Sequence, residues 1–273
     1  MHHCWLNGTI TDVASARFHF NDLGVLRGYG LFDYFRTYNG RPFQWDWYWE
    51  RFERSARILK IPCPVTKEQT RQIVSELFAL QGGEDCAFRF LLTGGFTDDS
   101  ISMHTPNFIV ISEDLHHDDP GEHERGIRVM SYEFVRDLPM LKSTDYKHLL
   151  ILRQEFKEKG VSDVLFHKDG FISELSRSNV FLVNGNKLIT PDENILEGIT
   201  RRTVLELAQP DFDIEIRPVT LQETLDAEEV FTTSTTKRVL PITGIDDKVI
   251  GSGKIGPKSR ILLDRIDALI SSW

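Results

Sequence analysis

The stretch FISELSRSNVFLVNGNKLITPDENILEGITR spans residues 171–201. It holds apolar, β-prone segments that are separated by the turn residues Asn184-Gly185-Asn186, and another turn, Lys168-Asp169-Gly170, lies just before it. Each turn joins a pair of predicted strands, because Asn, Asp and Gly accept the backbone angles of tight turns. Gly198-Ile199-Thr200 then opens a helix that we expect to reach about Gln209. The stretch therefore predicts strand hairpins that lead into a helix.

Two features of this stretch suit a charged ligand or partner. Glu174 is a carboxylate inside a predicted strand, where it needs a cationic or hydrogen-bonded partner. The segment Glu197–Arg201 is a Gly-containing loop that leads directly into a helix, whose free N–H groups and positive dipole end suit a phosphate. Many helices begin with Gly-x-Thr for capping alone, so this segment by itself leaves both interpretations open.

Alternating apolar and turn segments continue on both sides of the stretch. Asn39-Gly40 is a hairpin signal, and Thr66 to Gln69 has the pattern of a capping box. A first predicted strand ends near residue 10. Further predicted strands cover 31–38, 87–93, 107–112, 127–135 and 230–235, and a short hairpin is predicted over 241–249. The predicted helices cover 46–60, 66–81 and 145–159, and a last one begins near Pro257. Residues 21–30 are predicted as a glycine-rich loop and the acidic segment 113–124 as a linker between two lobes.

Composition excludes several classes of protein. The net charge of −9 argues against a nucleic-acid-binding protein, and three cysteines without a CxxC pair argue against a disulfide framework or structural zinc site. His116 and His117 have no third ligand at a useful spacing, so we interpret them as part of a solvated linker and expect no metal. The first residues lack the features of a signal peptide, and no apolar run is long enough to cross a membrane. We therefore expect a soluble, cytoplasmic protein.

Three further segments carry candidate functional residues, each with an ordinary structural alternative. Arg51 lies on an amphipathic predicted helix, where a guanidinium can bind a phosphate with two parallel bonds or simply face solvent. Lys142 follows an apolar segment, and such a setting favours the neutral amine that acts as a nucleophile or forms a Schiff base. Thr232–Thr236 offers five consecutive hydroxyl groups, as donors to a ligand or as a solvated strand edge.

The order and spacing of these segments resemble those of the class IV pyridoxal-phosphate (PLP) enzymes. That family includes D-amino-acid aminotransferases, branched-chain aminotransferases and aminodeoxychorismate lyases. The likeness covers nearly the whole chain and is strongest over 174–201 and 231–242. It implies a two-lobe α/β (α+β) protein of fold type IV, with the cofactor between a small α/β lobe and a larger, β-rich pseudo-barrel lobe. The expected boundaries are 1–115 for the small lobe, 116–121 for the linker and 122–273 for the large lobe.

The resemblance also implies roles for individual residues. Lys142, 32 residues before Glu174, matches the catalytic lysine that forms a Schiff base with PLP and moves the proton between the substrate Cα and the cofactor C4′. Lys147 is the rival, but it lies only 27 residues before Glu174 and inside a predicted helix. Glu174 would pair with the pyridine nitrogen and keep it protonated. The phosphate and the ring face would be contacted by Arg51, Leu196, Gly198, Ile199, Thr200, Ser234 and Thr235.

The chain departs from its relatives at the substrate carboxylate. D-amino-acid aminotransferases have an arginine where this chain has Gly94, and relatives often have a His at the position of Tyr48. We expect Arg27 and Arg89 to bind the carboxylate instead, and an equal alternative is that Arg89 is only a structural ion-pair partner. The expected substrate-binding residues are Arg27, Phe32, Tyr34, Arg89 and Thr236.

The implied activity is transfer of an amino group from an α-amino acid to a 2-oxo acid such as 2-oxoglutarate or pyruvate. It runs in two half-reactions through pyridoxamine phosphate. D-amino acids are favoured because the loop Arg27-Gly28-Tyr29-Gly30 resembles a D-specific subgroup that lacks the usual arginine. The alternatives are an L-branched-chain aminotransferase, an aminodeoxychorismate lyase and a catalytically silent PLP-binding protein. The family implies a homodimer, and neither a nucleic acid nor a membrane is an expected partner.

Overall fold

The computed structural model describes residues 2–115, 119 and 121–273. These residues form two compact units. The first unit holds the described residues up to Leu115 together with Leu141–Asp145 and Trp273, and the second holds the other described residues up to Met140 and Tyr146–Ser272. His116 and His117, with most of the predicted linker, lie outside the described residues.

The first unit is an antiparallel sheet with helices packed on it. Its strands are β1 (His3–Leu6), β2 (Thr9–Asp12), β3 (Gly30–Tyr38), β4 (Arg41–Pro42), β5 (Ala87–Thr93) and β6 (Asn107–Glu113). Its helices are α1 (Leu23–Arg27), α2 (Trp45–Ile58) and α3 (Lys67–Leu80). The strand order is β2-β1-β6-β5-β3-β4, and all neighbouring strands are antiparallel.

An aromatic core joins α2 to this sheet. Trp45, Trp49, Phe52 and Ala56 recur at helical spacing along α2 and are all buried. Phe35, which is fully buried on β3, makes an edge-to-face contact with Trp45 at a centroid distance of 5.6 Å. The core therefore lies on the face of β3 that carries Phe35, and the alternate residues of β3 point to the other face.

The turn and cap signals of this unit are confirmed. Asn39 and Gly40, with φ angles of 50° and 73°, join β3 to β4. Thr66 caps α3 in a capping box: Gln69 N donates to Thr66 Oγ1 at 3.3 Å, and Thr66 N donates to Gln69 Oε1 at 2.8 Å. These signals depend on a few neighbouring residues, which is why they could be predicted from the sequence.

Two predictions for the first unit were wrong. The single strand expected to end near residue 10 is a hairpin, because Asn7 and Gly8, with φ angles of 47° and 102°, turn the chain between β1 and β2. The predicted loop over residues 21–30 contains the short helix α1, whose first turn is capped by Asp22.

The second unit is dominated by one large sheet. Its strands are β7 (Ile127–Glu133), β8 (Asp163–Lys168), β9 (Phe171–Leu175), β10 (Asn179–Asn184), β11 (Lys187–Thr190), β12 (Asp213–Ile216), β13 (Glu229–Ser234), β14 (Arg238–Ile245) and β15 (Lys248–Val249). Its helices are α4 (Glu122–Arg125), α5 (Lys147–Lys159), α6 (Ile199–Ala208), α7 (Leu221–Leu225) and α8 (Pro257–Ser271).

This sheet is mixed and curled. The strand order is β12-β11-β10-β13-β14-β7-β8-β9, with β15 paired to β14. The pairs β11–β12, β14–β7 and β7–β8 are parallel, and the others are antiparallel. Leu175 at the end of β9 bridges Ser178, one residue before β10, so the sheet curls back on itself.

Alternation along the strands separates two cores. On β10, Val180 and Leu182 belong to a core of strand residues, whereas Phe181 and Val183 pack with residues of α6 and α8. A third cluster packs α5 against β7 and β8. The helices therefore cover the sheet from outside.

Most elements of the second unit are confirmed, with small shifts. The turns at Asp169-Gly170 and Gly185 have positive φ angles and join β8 to β9 and β10 to β11. Helix α5 begins at Lys147, two residues later than predicted, and α4, β12 and α7 were missed because they are only four or five residues long. Among the described residues, no helix is long and apolar enough to cross a membrane.

Candidate functional site

Lys142 belongs to the first unit and lies beside the start of β3. Its carbonyl accepts a hydrogen bond from Phe32 N at 2.9 Å, and its Nζ lies 4.8 Å from the centre of the Phe32 ring. The side chain is half-buried, whereas the rival Lys147 is the exposed first residue of α5. The backbone of Lys142 is thus fixed while its amine lies against an aromatic ring, a setting that suits an amine nucleophile.

Arg89 is brought together with two of the other predicted substrate residues. It lies on β5 directly opposite Tyr34 on β3, and its guanidinium carbon is 5.3 Å from the Tyr34 ring centre and 5.4 Å from that of Phe32. All three side chains are half-buried, on the sheet face opposite Phe35 and the aromatic core. Nε and NH2 of Arg89 donate to the two carboxylate oxygens of Glu113 at 2.6 and 3.0 Å.

The loop that carries Arg27 is fixed at both ends. Asp22 accepts from Gly24 N at 2.6 Å at the start of α1, and Arg27 Nε donates to the Ser100 carbonyl at 3.1 Å. Tyr29 explains the glycine at position 94, because a Cβ on Gly94 would lie 2.6 Å from Tyr29 Cδ1. A side chain at position 94 is therefore excluded while Tyr29 keeps this position.

Arg51, the predicted phosphate ligand, is buried on α2 and pairs with Asp33 on β3. Its Nε donates to Asp33 Oδ2 at 2.9 Å and its NH2 to Oδ1 at 2.6 Å, and the two side chains are only 6% and 1% exposed. A two-bond fork of this kind fixes the plane of the guanidinium. The protein thus orients Arg51 by itself, and the phosphate role stays a prediction.

Glu174 on β9 has the cationic partner that its position required. Arg136 donates from Nε and NH2 to Glu174 Oε1 at 2.7 and 2.6 Å. The other oxygen, Oε2, accepts from Leu196 N at 2.9 Å. The structure therefore brings together Glu174 and Leu196, both predicted cofactor contacts, and adds Arg136.

The amino end of α6 is arranged to receive an anion. Gly198 at the N-cap has no side chain that could cap the helix, so the first backbone N–H groups stay available at the end where the helix dipole is positive. Ile199 and Thr200, the first two residues of the helix, are buried. A Cβ at Gly198 would lie 2.1 Å from Asn179 Oδ1. Asn179 Nδ2 also donates to the Leu196 carbonyl at 2.8 Å, so this residue shapes the loop before α6.

The hydroxyl-rich strand β13 adds donors. Thr233 lies on the same strand face as Phe231, which packs in the core with α6 and α8. Thr233 Oγ1 is buried and has no hydrogen-bond partner within the described part of the chain, and a buried orphan hydroxyl calls for an acceptor. Ser234 Oγ accepts from Lys237 N at 3.2 Å and lies 3.5 Å from the Thr236 hydroxyl. Helix N–H groups and hydroxyl donors of this kind fit a phosphate dianion.

Sequence reasoning missed several residues that shape the site. Asp33 could have been found, because it is a lone carboxylate in an aromatic strand and so needed a partner, like Glu174. Arg136 and Asn179 gave no signal of their own, and the sequence did not distinguish Thr233 from the other hydroxyl residues of Thr232–Thr236. Only the folded chain shows the hydrogen bonds of Arg136 and Asn179 and the missing hydrogen-bond partner of the Thr233 hydroxyl among the described residues.

Comparisons with known proteins agree on one family. The family "Amino-transferase class IV" matches residues 30–245 of this chain. The chain is 29% identical to a putative branched-chain-amino-acid aminotransferase of Methanocaldococcus jannaschii, over 98% of this chain and 96% of that protein. It is 26% identical to a D-alanine aminotransferase of Staphylococcus haemolyticus, over 98% of each.

A solved structure shows the same fold. The crystal structure of a branched-chain amino acid aminotransferase from T.th. with pyridoxamine 5′-phosphate superposes with a TM-score of 0.92 at 22% identity, over 99% of this chain and 94% of that one. The predicted fold class is thereby confirmed. Because the family match spans most of its length, the chain belongs to the class IV aminotransferase family.

Proposed function

We propose that this aminotransferase moves an amino group from a D-α-amino acid to a 2-oxo acid such as 2-oxoglutarate or pyruvate. The observation that supports transfer between these two classes of acid is Arg89, whose guanidinium lies over the rings of Phe32 and Tyr34 on a half-buried sheet face. Amino acids and 2-oxo acids share a carboxylate, and a guanidinium binds a carboxylate with two parallel hydrogen bonds. A cation in this setting suits both substrates of the reaction.

Class IV aminotransferases use pyridoxal 5′-phosphate, which supplies an electron sink for the charge that develops at the substrate Cα. The donors at α6 and β13 fit its phosphate, and the orphan hydroxyl of Thr233 adds one donor to the predicted set. We assign the phosphate and ring contacts to Arg51, Leu196, Gly198, Ile199, Thr200, Ser234 and Thr235.

Two side chains of this protein act on protons in the proposed reaction. Lys142 would hold the cofactor through Nζ. Once the amino group of the substrate has displaced this nitrogen, the freed amine would take the proton from the substrate Cα. Glu174 would accept a hydrogen bond from the ring nitrogen, and a proton on that nitrogen would make the ring a better electron sink. The ring of Phe32, 4.8 Å from Lys142 Nζ, covers one side of the amine.

The preference for D-amino acids rests on the loop Arg27-Gly28-Tyr29-Gly30, which resembles that of a D-specific subgroup without the usual arginine. Gly94 cannot supply an arginine because Tyr29 occupies the space beside it, so Arg27 and Arg89 are assigned the substrate carboxylate, with Thr236 from the turn after β13 as a further contact. The D-alanine aminotransferase of Staphylococcus haemolyticus, 26% identical over 98% of this chain, supports a D-amino acid as substrate.

An L-branched-chain aminotransferase is the second candidate. The relative from Methanocaldococcus jannaschii carries that name with 29% identity over 98% of this chain. Arg89 suits an L-amino acid equally well, because both enantiomers of an amino acid carry an α-carboxylate. The stereochemistry of the accepted amino acid therefore distinguishes a D-amino-acid aminotransferase from an L-branched-chain aminotransferase.

We also propose that the enzyme is a homodimer. The region of the first unit around Arg27 exposes large apolar side chains: Phe20 is 72% exposed, Val25 64% and Ile101 80%. Clustered apolar side chains in water are typical of a protein interface. Light scattering on the purified protein would show twice the chain mass, and a monomer at micromolar concentration would refute the assembly.

Cofactor absorbance tests the proposed activity. The PLP-loaded protein is titrated with D-alanine, D-glutamate, L-leucine and L-glutamate, each without a 2-oxo acid. Conversion of the cofactor to its amine form by the D-amino acids alone is the expected result. Conversion by L-leucine and L-glutamate alone would move the assignment to the branched-chain type, and pyruvate release from aminodeoxychorismate without an acceptor would identify a lyase.

A further inference from the structure

Arg136 contacts the carboxylate that we assign to the cofactor nitrogen. It follows β7 in the second unit, and its Nε and NH2 donate to Glu174 Oε1 at 2.7 and 2.6 Å. NH2 also donates to the Pro139 carbonyl at 2.6 Å. The Arg136 side chain is 17% exposed and that of Glu174 5%. One guanidinium therefore fixes a buried carboxylate and a backbone turn.

The second oxygen of Glu174 is held as well. Oε2 accepts from Leu196 N at 2.9 Å, and the Leu196 carbonyl accepts from Asn179 Nδ2 at 2.8 Å. A carboxylate with both oxygens engaged has a fixed plane. The direction from which a further donor can reach Glu174 is therefore set by Arg136 and Leu196.

Burial makes the charge of Glu174 costly unless a cation offsets it. Removal of a carboxylate from water favours its neutral form, and an adjacent cation favours its ionised form. A nitrogen and a carboxylate that share one proton keep it on the nitrogen only while the carboxylate is the weaker base. The guanidinium of Arg136, whose Nε and NH2 contact Oε1, supplies this positive charge.

The same guanidinium closes the turn that precedes Lys142 in the sequence. Leu138 has a φ angle of 50°, a value that residues other than glycine rarely adopt. The bond from Arg136 NH2 to the Pro139 carbonyl spans this residue. Loss of Arg136 would therefore release a strained turn three residues before Lys142.

We propose that Arg136 is a positioning residue for amino-group transfer. It keeps Glu174 ionised and directed at the ring nitrogen of PLP, so that the proton shared by the two groups stays on the nitrogen. The inference rests on the proposed role of Glu174 and extends it to a residue outside the assigned cofactor contacts.

The experiment uses protein loaded with PLP that carries 15N at the ring nitrogen, because the 15N chemical shift reports whether this nitrogen is protonated. The variants are R136Q, R136K and E174Q, with R217Q as the matched control. Arg217 pairs with Glu215 and Glu223 in the same unit, so R217Q also removes a guanidinium from carboxylates while it leaves the assigned cofactor residues unchanged. E174Q gives the shift of a ring nitrogen without its carboxylate.

We expect R136Q to move the 15N shift from the wild-type value toward that of E174Q, and R217Q to match the wild type. The kcat of R136Q should fall about tenfold or more, as is common when a group that orients a catalytic ligand is removed, while KM changes much less. R136K keeps the charge without the fork, so its shift and kcat should lie between those of the wild type and R136Q.

A 15N shift and kcat of R136Q equal to those of R217Q would overturn the proposal. If R136Q fails to fold, R136K is measured in its place. A 15N shift and kcat of R136K equal to those of the wild type would also overturn the proposal. A wild-type shift that equals that of E174Q would instead refute the proposed role of Glu174. The two failures are therefore distinguishable.

Discussion

Arg89 and Glu113 form a two-bond ion pair at the edge of the face that carries Phe32 and Tyr34, with N–O distances of 2.6 and 3.0 Å. The two side chains are 34% and 30% exposed, so water and small solutes can reach the pair. A substrate carboxylate that binds Arg89 would compete with Glu113 for the same guanidinium. This competition separates a substrate-binding role of Arg89 from a purely structural one.

Kinetics of R89A and E113Q test the substrate role. R89A should raise KM for the amino acid roughly 10- to 100-fold, because a charge-assisted hydrogen bond contributes about 1.5–3 kcal/mol, with PLP affinity unchanged. E113Q should lower KM, since it removes the competing carboxylate. R57A is the control, because Arg57 pairs with Glu53 on the exposed face of α2 at 3.8 Å. Unchanged KM in both R89A and E113Q would leave Arg89 a structural residue.

The buried pair of Asp33 and Arg51 predicts a large effect on stability. D33A should lower the free energy of unfolding of the cofactor-free protein by about 3–5 kcal/mol, because it removes the carboxylate that pairs with a buried guanidinium. E53Q, which removes an exposed partner of Arg57, should change it by less than about 0.5 kcal/mol. Urea denaturation followed by circular dichroism measures both. Equal stability of the two variants would show that Asp33 does not hold Arg51 in solution.

The close approach of Asn179 to Gly198 predicts that G198A disturbs the phosphate site. A Cβ at position 198 would lie 2.1 Å from Asn179 Oδ1, so the loop before α6 must move. The dissociation constant of PLP should rise about tenfold or more, as expected when preorganised donors are displaced. G160A is the control, because Gly160 closes α5 with open space around it. A PLP affinity of G198A equal to that of G160A would exclude this loop from the phosphate site.

Acid stability should depend on Arg217. The hydrogen bond from the Arg217 guanidinium lowers the pKa of the Glu223 carboxyl below its usual value. A carboxyl with a lowered pKa stabilises the fold fully above its unfolded pKa of about 4.3, and this stabilisation is lost as the pH falls through the folded pKa. The melting temperature of R217Q should therefore be lower than that of the wild type at pH 7, and the difference should shrink below about pH 4. A difference that stays constant down to pH 2 would contradict the linkage.

Local signals in the sequence predicted much of the fold. The turns at Asn39-Gly40 and Asp169-Gly170 and the capping box at Thr66 depend on neighbouring residues, so they could be identified without the structure. The hairpin turn at Asn7-Gly8 carried a comparable signal and was overlooked. The short elements α4, β12 and α7 are too brief to show a period, and they form because the larger sheet packs against them.

The candidate site was predictable only in part. Glu174 could be identified as a carboxylate in need of a partner, but the identity of that partner depends on a loop 38 residues earlier. Asn179 and Gly198 are distant in the sequence but adjacent in the fold, where Asn179 Oδ1 occupies the space that a Cβ at position 198 would need. Pairings between distant residues are set by the topology of the sheet, which the pattern of a single sequence does not specify.

Borohydride reduction shows which lysine carries the cofactor, and we expect this to be Lys142. Reduction of the PLP-loaded protein fixes the cofactor to the lysine that holds it, and mass spectrometry of the digested protein locates the modified residue. We expect a phosphopyridoxyl group on Lys142, none on Lys147, and no labelling in K142A. A phosphopyridoxyl group on Lys147, or undiminished labelling of K142A, would contradict it.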